Sequence, residues 1–395
     1  MRIQNVRFEE SKNWVKLSAT CKIRRVGQET VYFKFPKKYK KFIYADASPF
    51  AAALLLPSMQ RGEDLIINGT ISEKLYTGMH EIMKVVVDWN IGFKPIKIIA
   101  DNTARDKGSP KLVTTCFSGG VDSFYTWLDH KNDKKNPVTS MLCVNGFDIG
   151  LHEEDLWNQT IGNIQTIAAE ENAELIEAES NVRSFLDPII LWGYAHGGCL
   201  AAVALCLRKG IKTLYIPSSH TIDQRFPWGT DIALDPNWST EIMNFVHDAP
   251  EVSRVNKVLG QVAKSPVALR YLRVCYLNQK GSYNCGVCDK CIRTMINLYV
   301  ADALDRSSTF PTTLDNNAVA NLKIHGDGGK FLHENLAVLE EQGRNPELQE
   351  ALRTCLNQPK SSRTRHSKIK DGYIRLLYLD YMYTRSIVQR TLRIK

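Results

Sequence analysis

The sequence predicts an α/β protein: a parallel-sheet domain over residues 111–300, preceded by a strand-rich domain over 1–105 and followed by a helical extension over 301–395. Three observations predict this. Between Lys111 and Ser218 short β-rich runs alternate with helical segments, the pattern of consecutive βαβ units. Before that stretch, apolar and polar residues alternate, as in Trp14–Ala19 and Glu29–Phe35, which marks half-buried strands. Near the carboxyl end the apolar spacing becomes helical over about Gly328–Leu356 and Gly372–Leu392.

In the amino-terminal segment the alternating runs are interrupted by one apolar helical stretch near Ala51–Met59. The polar run Asp101–Pro110 has linker composition and ends where a strongly apolar strand begins, so a boundary is expected there. The parallel-sheet strands are expected at Leu112–Phe117, Val138–Val144, Ala173–Glu177 and Thr213–Pro217, with helices starting near Asp122, Glu153 and Gly197. A loop-rich stretch follows Ser218, then a helix near Val252–Ala263.

The chain has 395 residues, 44% apolar and 24% charged, which suits soluble domains and excludes a disordered or fibrous class. No run approaches the roughly 20 apolar residues of a spanning helix, and Met1–Asn5 begins no charged-then-apolar leader, so a cytoplasmic location and no membrane partner are expected. Of the formal charge of +9, Lys360–Lys395 holds ten Lys/Arg against two Asp, a net of +8. Ten cysteines without an export signal suggest reduced thiols, some of them on metal.

Ser118-Gly119-Gly120-Val121-Asp122-Ser123 follows the first expected parallel strand and precedes a helical run. Two glycines let the backbone turn tightly towards an oxyanion, and the helix start offers unpaired N–H groups and a positive dipole end. Ser118 and Ser123 add hydroxyl donors, whereas Asp122 suits Mg²⁺, directly or through water. No Gly-Lys-Ser/Thr follows the four-residue gap, so the loop is not a Walker A. A glycine turn that binds nothing is the bland alternative.

Cys285, Cys288 and Cys291 are separated by two residues each, and Cys275 stands upstream with nine residues between it and Cys285. Four thiolates at this spacing suit a closed, tetrahedral structural Zn²⁺ without metal-bound water, with Gly286 easing the turn. An iron–sulfur cluster and unrelated buried or redox thiols are the competing readings.

The loop resembles the Ser-Gly-Gly-x-Asp-Ser loop of the PP-loop ATP pyrophosphatases, and with the cysteine quartet the chain is similar to the 7-cyano-7-deazaguanine synthase group. The resemblance covers about Lys111–Met295 and implies an adenine nucleotide α hydrolase-like fold that binds ATP and grips its β,γ-pyrophosphate as leaving group. It also implies adenine near the carboxyl ends of the first two parallel strands, making Cys143 and Val144 cofactor-pocket candidates beside a plain core reading. The chain departs from that group in a gap one residue longer before the cysteine triplet, an added amino-terminal segment, a carboxyl-terminal extension, and no matching substrate-loop motifs in its middle.

Other candidates flank this core. His196, read as preceding a Gly197-Gly198 helix start, is an acid/base or phosphate-donor candidate, or a packed helix cap, and Cys199 a weaker nucleophile candidate. Ser218, His220, Arg225 and Asp231 belong to a loop placed to cover an acceptor, or to an idle surface loop. His247-Asp248, Arg254 and Lys257 are read onto a helical segment, where a cation can neutralise charge on a transferred phosphoryl group. Arg293 follows the last thiol as a further cation. The basic run Lys360–Lys370 can track RNA phosphates or be a solvated linker, and the helix beyond it docks on the body or on a second subunit as a homodimer.

The chemistry expected is that of an ATP-dependent adenylating ligase or synthase. An acceptor carboxylate or amide oxygen attacks the α-phosphorus, pyrophosphate leaves, and a nitrogen or sulfur nucleophile displaces AMP. Alternatives are a relative that amidates or thiolates a tRNA base, a protein terminus or a metabolite, and an ATP-binding interaction module without turnover.

Overall fold

The computed structural model describes residues 1–24, 27–278, 281–324 and 328–358. Its frame is one ten-stranded α/β sheet. Five strands of the second segment, β6 (Leu112–Cys116), β7 (Ser140–Asn145), β8 (Glu174–Ser180), β9 (Ile211–Pro217) and β10 (Asn244–Asp248), are mutually parallel in the order β10-β9-β6-β7-β8. All four expected strands are present. β10 is an addition: His247 and Asp248 lie on this strand, not on a helix.

The chain winds outward from β6 through β7 and β8, then crosses back to β9 on the other side of β6. This reversal leaves a crevice at the carboxyl ends of β6 and β9, where open α/β sheets bind ligands. The connecting helices are α3 (Val121–His130), α4 (Glu154–Glu170), α5 (Val182–Leu186) and α6 (Trp192–Cys206).

The amino-terminal segment does not stand apart as expected. Its strands β1 (Arg2–Glu10), β2 (Trp14–Ile23), β3 (Gly27–Pro36), β4 (Leu65–Ser72) and β5 (Ile98–Ala104) continue the same sheet in the order β3-β2-β1-β4-β5. The seam is the antiparallel pairing of Phe33 with Ser180 and Lys34 with Glu179. Side chains reinforce it: Tyr32 Oη donates to Glu179 at 2.9 Å, and Ser180 Oγ donates to the Tyr32 carbonyl at 2.7 Å. One apolar core runs across the seam, from Leu17 and Phe33 through helix α1 (Ser48–Arg61) to α6 and Leu214.

The expected linker is likewise part of the body. Asp101–Ala104 lies in β5, and buried Asp106 is gripped by fully buried Arg208, with Nε to Oδ2 at 2.6 Å. Arg208 also pairs with Asp46 at 2.5 Å. A desolvated cation is tolerated there because two carboxylates surround it.

Beyond β10 come α7 (Arg254–Gly260), α8 (Pro266–Tyr271) and α9 (Asp289–Val300), then α10 (Asn316–Ala320), α11 (Gly328–Glu341) and α12 (Pro346–Asn357). The single helix expected over 328–356 is thus two. Asn345 takes φ +47° and caps the Leu348 amide, and Pro346 begins the second helix. No described helix is long and apolar enough to cross a membrane. The basic run and the helix expected at Gly372–Leu392 lie outside the described residues.

Candidate functional site

The loop Phe117–Gly120 joins β6 to α3 at the sheet's carboxyl edge. Gly119 takes φ +74°, a conformation a side chain would strain, and its carbonyl accepts the Arg273 amide at 2.8 Å. Gly120 caps α3 with φ −85° and ψ 172° and no side-chain acceptor, so the amides of the first turn stay available to an anion. Ser118 is exposed, while Ser123 is buried with its hydroxyl donating to the Gly120 carbonyl at 3.0 Å.

Around this loop lies a cavity of about 220 Å³. Ser118, Gly120, Val121, Asp122 and Ser123 line one wall, and Cys143 and Val144 of β7 another. The sheet brings both groups to one space because β6 and β7 are adjacent and parallel. Burial pushes the Cys143 thiol up to about 12, so it is a neutral wall there.

Cations converge on Asp122. Arg254, the first residue of α7, places Nη2 2.5 Å from Asp122 Oδ2, and Lys257, one turn on, places Nζ 3.6 Å from Oδ1. Ser219 Oγ donates to Oδ2 at 3.3 Å. Burial alone would raise the Asp122 pKa, but Arg254 and Lys257 outweigh it and hold the carboxyl below the usual range. Oδ1 is buried without a hydrogen bond, and Lys257 Nζ, at 3.6 Å, is too far from it for one, so this oxygen suits a hard cation. Lys257 also donates to the Ser218 carbonyl at 2.6 Å and sits behind the wall.

Two further cations line the cavity that sequence reasoning missed, Arg273 and Lys290. Lys290 lies between Cys288 and Cys291, a position the cysteine spacing flagged only for its neighbours. Burial lowers the pKa of both Lys290 and Lys257. Among the described residues the Nε atoms of Arg254 and Arg273 are buried without a hydrogen-bond acceptor. Such groups fit an anion.

His196 lines the cavity but does not precede the helix. It is the fifth residue of α6, with Nδ1 3.2 Å from the Trp192 carbonyl, Nε2 3.3 Å from Thr230 Oγ1, and Trp228 5.2 Å away ring to ring. Burial lowers its pKa, leaving a neutral imidazole. The glycines after it serve close packing: a Cβ on Gly197 would stand 1.8 Å from the Gly229 carbonyl oxygen, and on Gly198 2.7 Å from that of Ala52. Cys199 faces the core, fully buried, and burial raises its thiol pKa far above neutrality, which removes it as a nucleophile.

The expected acceptor loop is divided. Ser218 is sealed, donating to the Ala249 carbonyl at 2.8 Å, and the adjacent Ser219 faces the cavity instead. Arg225 and Asp231 pair with each other at 2.5 Å beside a smaller recess that His220 also lines. His220 packs against Phe226, Trp228 and Phe331, and Arg293 lies 4.3 Å from the Phe331 ring, away from the cavity wall.

Cys275, Cys285, Cys288 and Cys291 meet with their Sγ atoms all within 4.8 Å of one another, a cluster that can hold a metal ion such as zinc. A tetrahedron with Zn–S arms of about 2.3 Å has edges of about 3.8 Å, and Cys285 Sγ lies 3.8 Å from Cys291 Sγ. The Cys288 amide donates to Cys285 Sγ at 3.3 Å and the Cys291 amide to Cys288 Sγ at 3.4 Å, stabilising thiolates. Cys275 also borders the cavity. The cysteine cluster and the Ser118–Ser123 loop are therefore neighbours in space, although about 160 residues apart in the chain.

Comparison with protein-family models, with curated proteins and with solved structures found no match for this chain.

Proposed function

We propose that this chain is an ATP pyrophosphatase of the PP-loop type, an adenylating ligase or synthase akin to 7-cyano-7-deazaguanine synthases. One observation carries the reading: an uncapped helix start behind a Ser-Gly-Gly-x-Asp-Ser loop, facing a cavity ringed by Arg254, Arg273 and Lys290. Helix amides with two buried arginines and the half-buried Lys290 suit the β,γ-phosphates of a nucleotide. Asp122, whose Oδ1 takes no hydrogen bond, is the carboxylate that would hold Mg²⁺, which would offset phosphate charge. Cys143 and Val144 would flank the adenine, and the four-cysteine cluster would hold structural Zn²⁺ with no open position.

The protein's own residues act by placement and charge. Ser118 and the amides of Val121–Ser123 orient the leaving pyrophosphate, and Arg254, with Lys257 behind it, offsets charge that grows as it departs. Neutral His196 can give or take a hydrogen bond at the acceptor but carries no charge for the phosphates.

The test is to incubate pure protein with ATP, Mg²⁺ and a panel of small carboxylates, amides, ammonia and sulfide. Pyrophosphate release is then measured, with mass spectrometry for ATP-dependent mass gains. Stoichiometric AMP and pyrophosphate with an acceptor support the reading. Calorimetry that detects no uptake of ATP, AMP or pyrophosphate overturns it.

A further inference from the structure

The end of the sheet opposite the cavity collects lysines. The short 3₁₀ helix Lys37–Phe42 presents Lys37, Lys38, Lys40 and Lys41, and Lys107, Lys111, Lys209 and Lys212 surround the turn that starts β9; all eight are exposed. Backbone hydrogen bonds tie these segments together. The Lys209 amide donates to the Phe42 carbonyl at 3.2 Å, and the Lys111 amide to the Gly210 carbonyl at 3.1 Å. Tyr44 sits among them, with Arg208 3.8 Å and Lys209 Nζ 5.1 Å from its ring.

Some of the nearby carboxylates are already used, while Glu174 and Glu177 of β8 stand beside Tyr39 without an ion pair among the described residues. Asp46 and Asp106 are both held by buried Arg208, and among the described residues only Lys40 of the eight lysines has a carboxylate within 4.0 Å, that of Glu10. Eight lysines against Glu10, Glu174 and Glu177 leave a positive excess at this end. The carboxyl-terminal tail accounts for +8 of the chain's +9, so the remainder is nearly neutral and these lysines are a sorted patch, not a reflection of composition.

A surface of point cations with no exposed apolar anchor suits a polyanion whose charges repeat regularly. Among the described residues, none of the exposed large hydrophobics, such as Phe8, Ile91 or Leu191, belongs to these segments, so nothing there would insert into a lipid interface. We propose that this end of the molecule docks the phosphodiester backbone of nucleic acid without reading its sequence. The surface lies a strand length from the cavity, and its function does not depend on what the cavity does.

The experiment measures fluorescence anisotropy of a short labelled RNA, the same sequence as DNA, and a duplex, with full-length protein and no ATP, from about 50 to about 200 mM salt. Wild type binds, with affinity falling steeply as salt rises; the sugar preferred identifies the natural ligand, and either supports the proposal. The triple variant Lys41→Glu, Lys209→Glu, Lys212→Glu binds at least about tenfold more weakly at low salt, with the log–log salt slope reduced by about 2 to 3. The matching Lys→Arg variant retains affinity, which separates charge from folding. Charge reversal of the tail, Lys368→Glu with Lys370→Glu, leaves the patch-dependent part intact. The proposal is overturned by no binding at low salt or by loss in the tail variant with none in the patch variant. Patch-dependent binding to phosphatidylserine vesicles that exceeds binding to nucleic acid also overturns it.

Discussion

Replacing Asp122 with asparagine tests whether its carboxylate is the counter-charge that lets the cation cluster exist. Arg254 Nη2 and Lys257 Nζ lie 2.5 and 3.6 Å from its oxygens, and their side chains are 4% and 2% exposed. Removing one partner of a buried pair costs about 3–5 kcal/mol, because the remaining charge stays desolvated and unpaired. The Asp122 side chain keeps 16% exposure, so the lower end, about 3 kcal/mol, is expected. Urea unfolding followed by tryptophan fluorescence measures it. The deficit also has a pH signature. Burial lowers the Lys257 pKa and Asp122 opposes that shift, so without Asp122 the folded-state value falls further below the unfolded value of about 10.4. Between those two values the unfolded chain binds more protons than the folded one, so the variant gains stability as pH rises and its deficit narrows. In wild type the carboxyl is held below its ordinary range. The stability it supplies is present above about pH 3.9 and is lost as pH falls through the folded value. A variant within about 0.5 kcal/mol of wild type at neutral pH refutes the ion-pair reasoning. So does a deficit that fails to narrow anywhere as pH rises towards the unfolded lysine value of about 10.4. On the proposed function, the same variant also loses pyrophosphate release.

Cys288→Ser removes one of four converging ligands. Its bound metal, measured by atomic emission, and its melting temperature both fall, and a metal-free variant melting like wild type contradicts the structural role. Gly197→Ala forces a methyl to 1.8 Å from the Gly229 carbonyl oxygen and destabilises by about 1–3 kcal/mol, whereas Gly162→Ala on α4, with nothing within 4 Å, stabilises by up to about 1 kcal/mol. Equal effects in urea unfolding would refute the packing account. His130 bonds Asp248 at 2.7 Å, which raises its pKa. The stability it adds is full below the unfolded value of about 6.5 and is lost as pH rises through the folded one, so the His130→Gln deficit is larger at about pH 5.5 than at about pH 8.5.

What could be read from the sequence was what is local. The strand, glycine turn and helix of residues 112–130 are fixed by neighbouring residues, and the cysteine triplet converges because two-residue gaps are short. Arg254 and Lys257 share one helix face through their spacing, but only the fold shows that this face meets Asp122, 132 residues earlier. Arg273 and Lys290 carried no signal of their own, since their approach depends on how the cysteine segment docks against the loop. That the amino-terminal strands join the same sheet is not legible for the same reason. The alternating strands are correct, but pairing of β3 with β8 spans about 147 residues and no pattern in either strand announces it. β10 is five residues with His and Asp in it, too short and polar to read as a strand. The reason for Gly197 and Gly198, a carbonyl at each Cβ position, is tertiary and leaves no mark in the sequence.

The charge balance of the cavity bears on the proposed chemistry. Arg254, Arg273 and Lys290 line it with Lys257 behind, against the two carboxylates Asp122 and Asp148. Burial disfavours the charge on both lysines, yet the chain keeps them where an apolar residue would pack without that cost. A surplus of desolvated cations beside uncapped helix amides is unfavourable by itself and becomes favourable once an anion shares the space. Asp122 offsets part of the surplus in the meantime. Arg254 is consequently shared: its bond to Asp122 holds α7 against the loop, and its unpaired Nε remains for a ligand. On the proposed function, an anion that drew the guanidinium away from Asp122 would leave that carboxylate available to hold a divalent cation. On that reading, Arg254 serves both structural support and phosphate binding, so stability and activity are expected to fall together when its partner Asp122 is replaced.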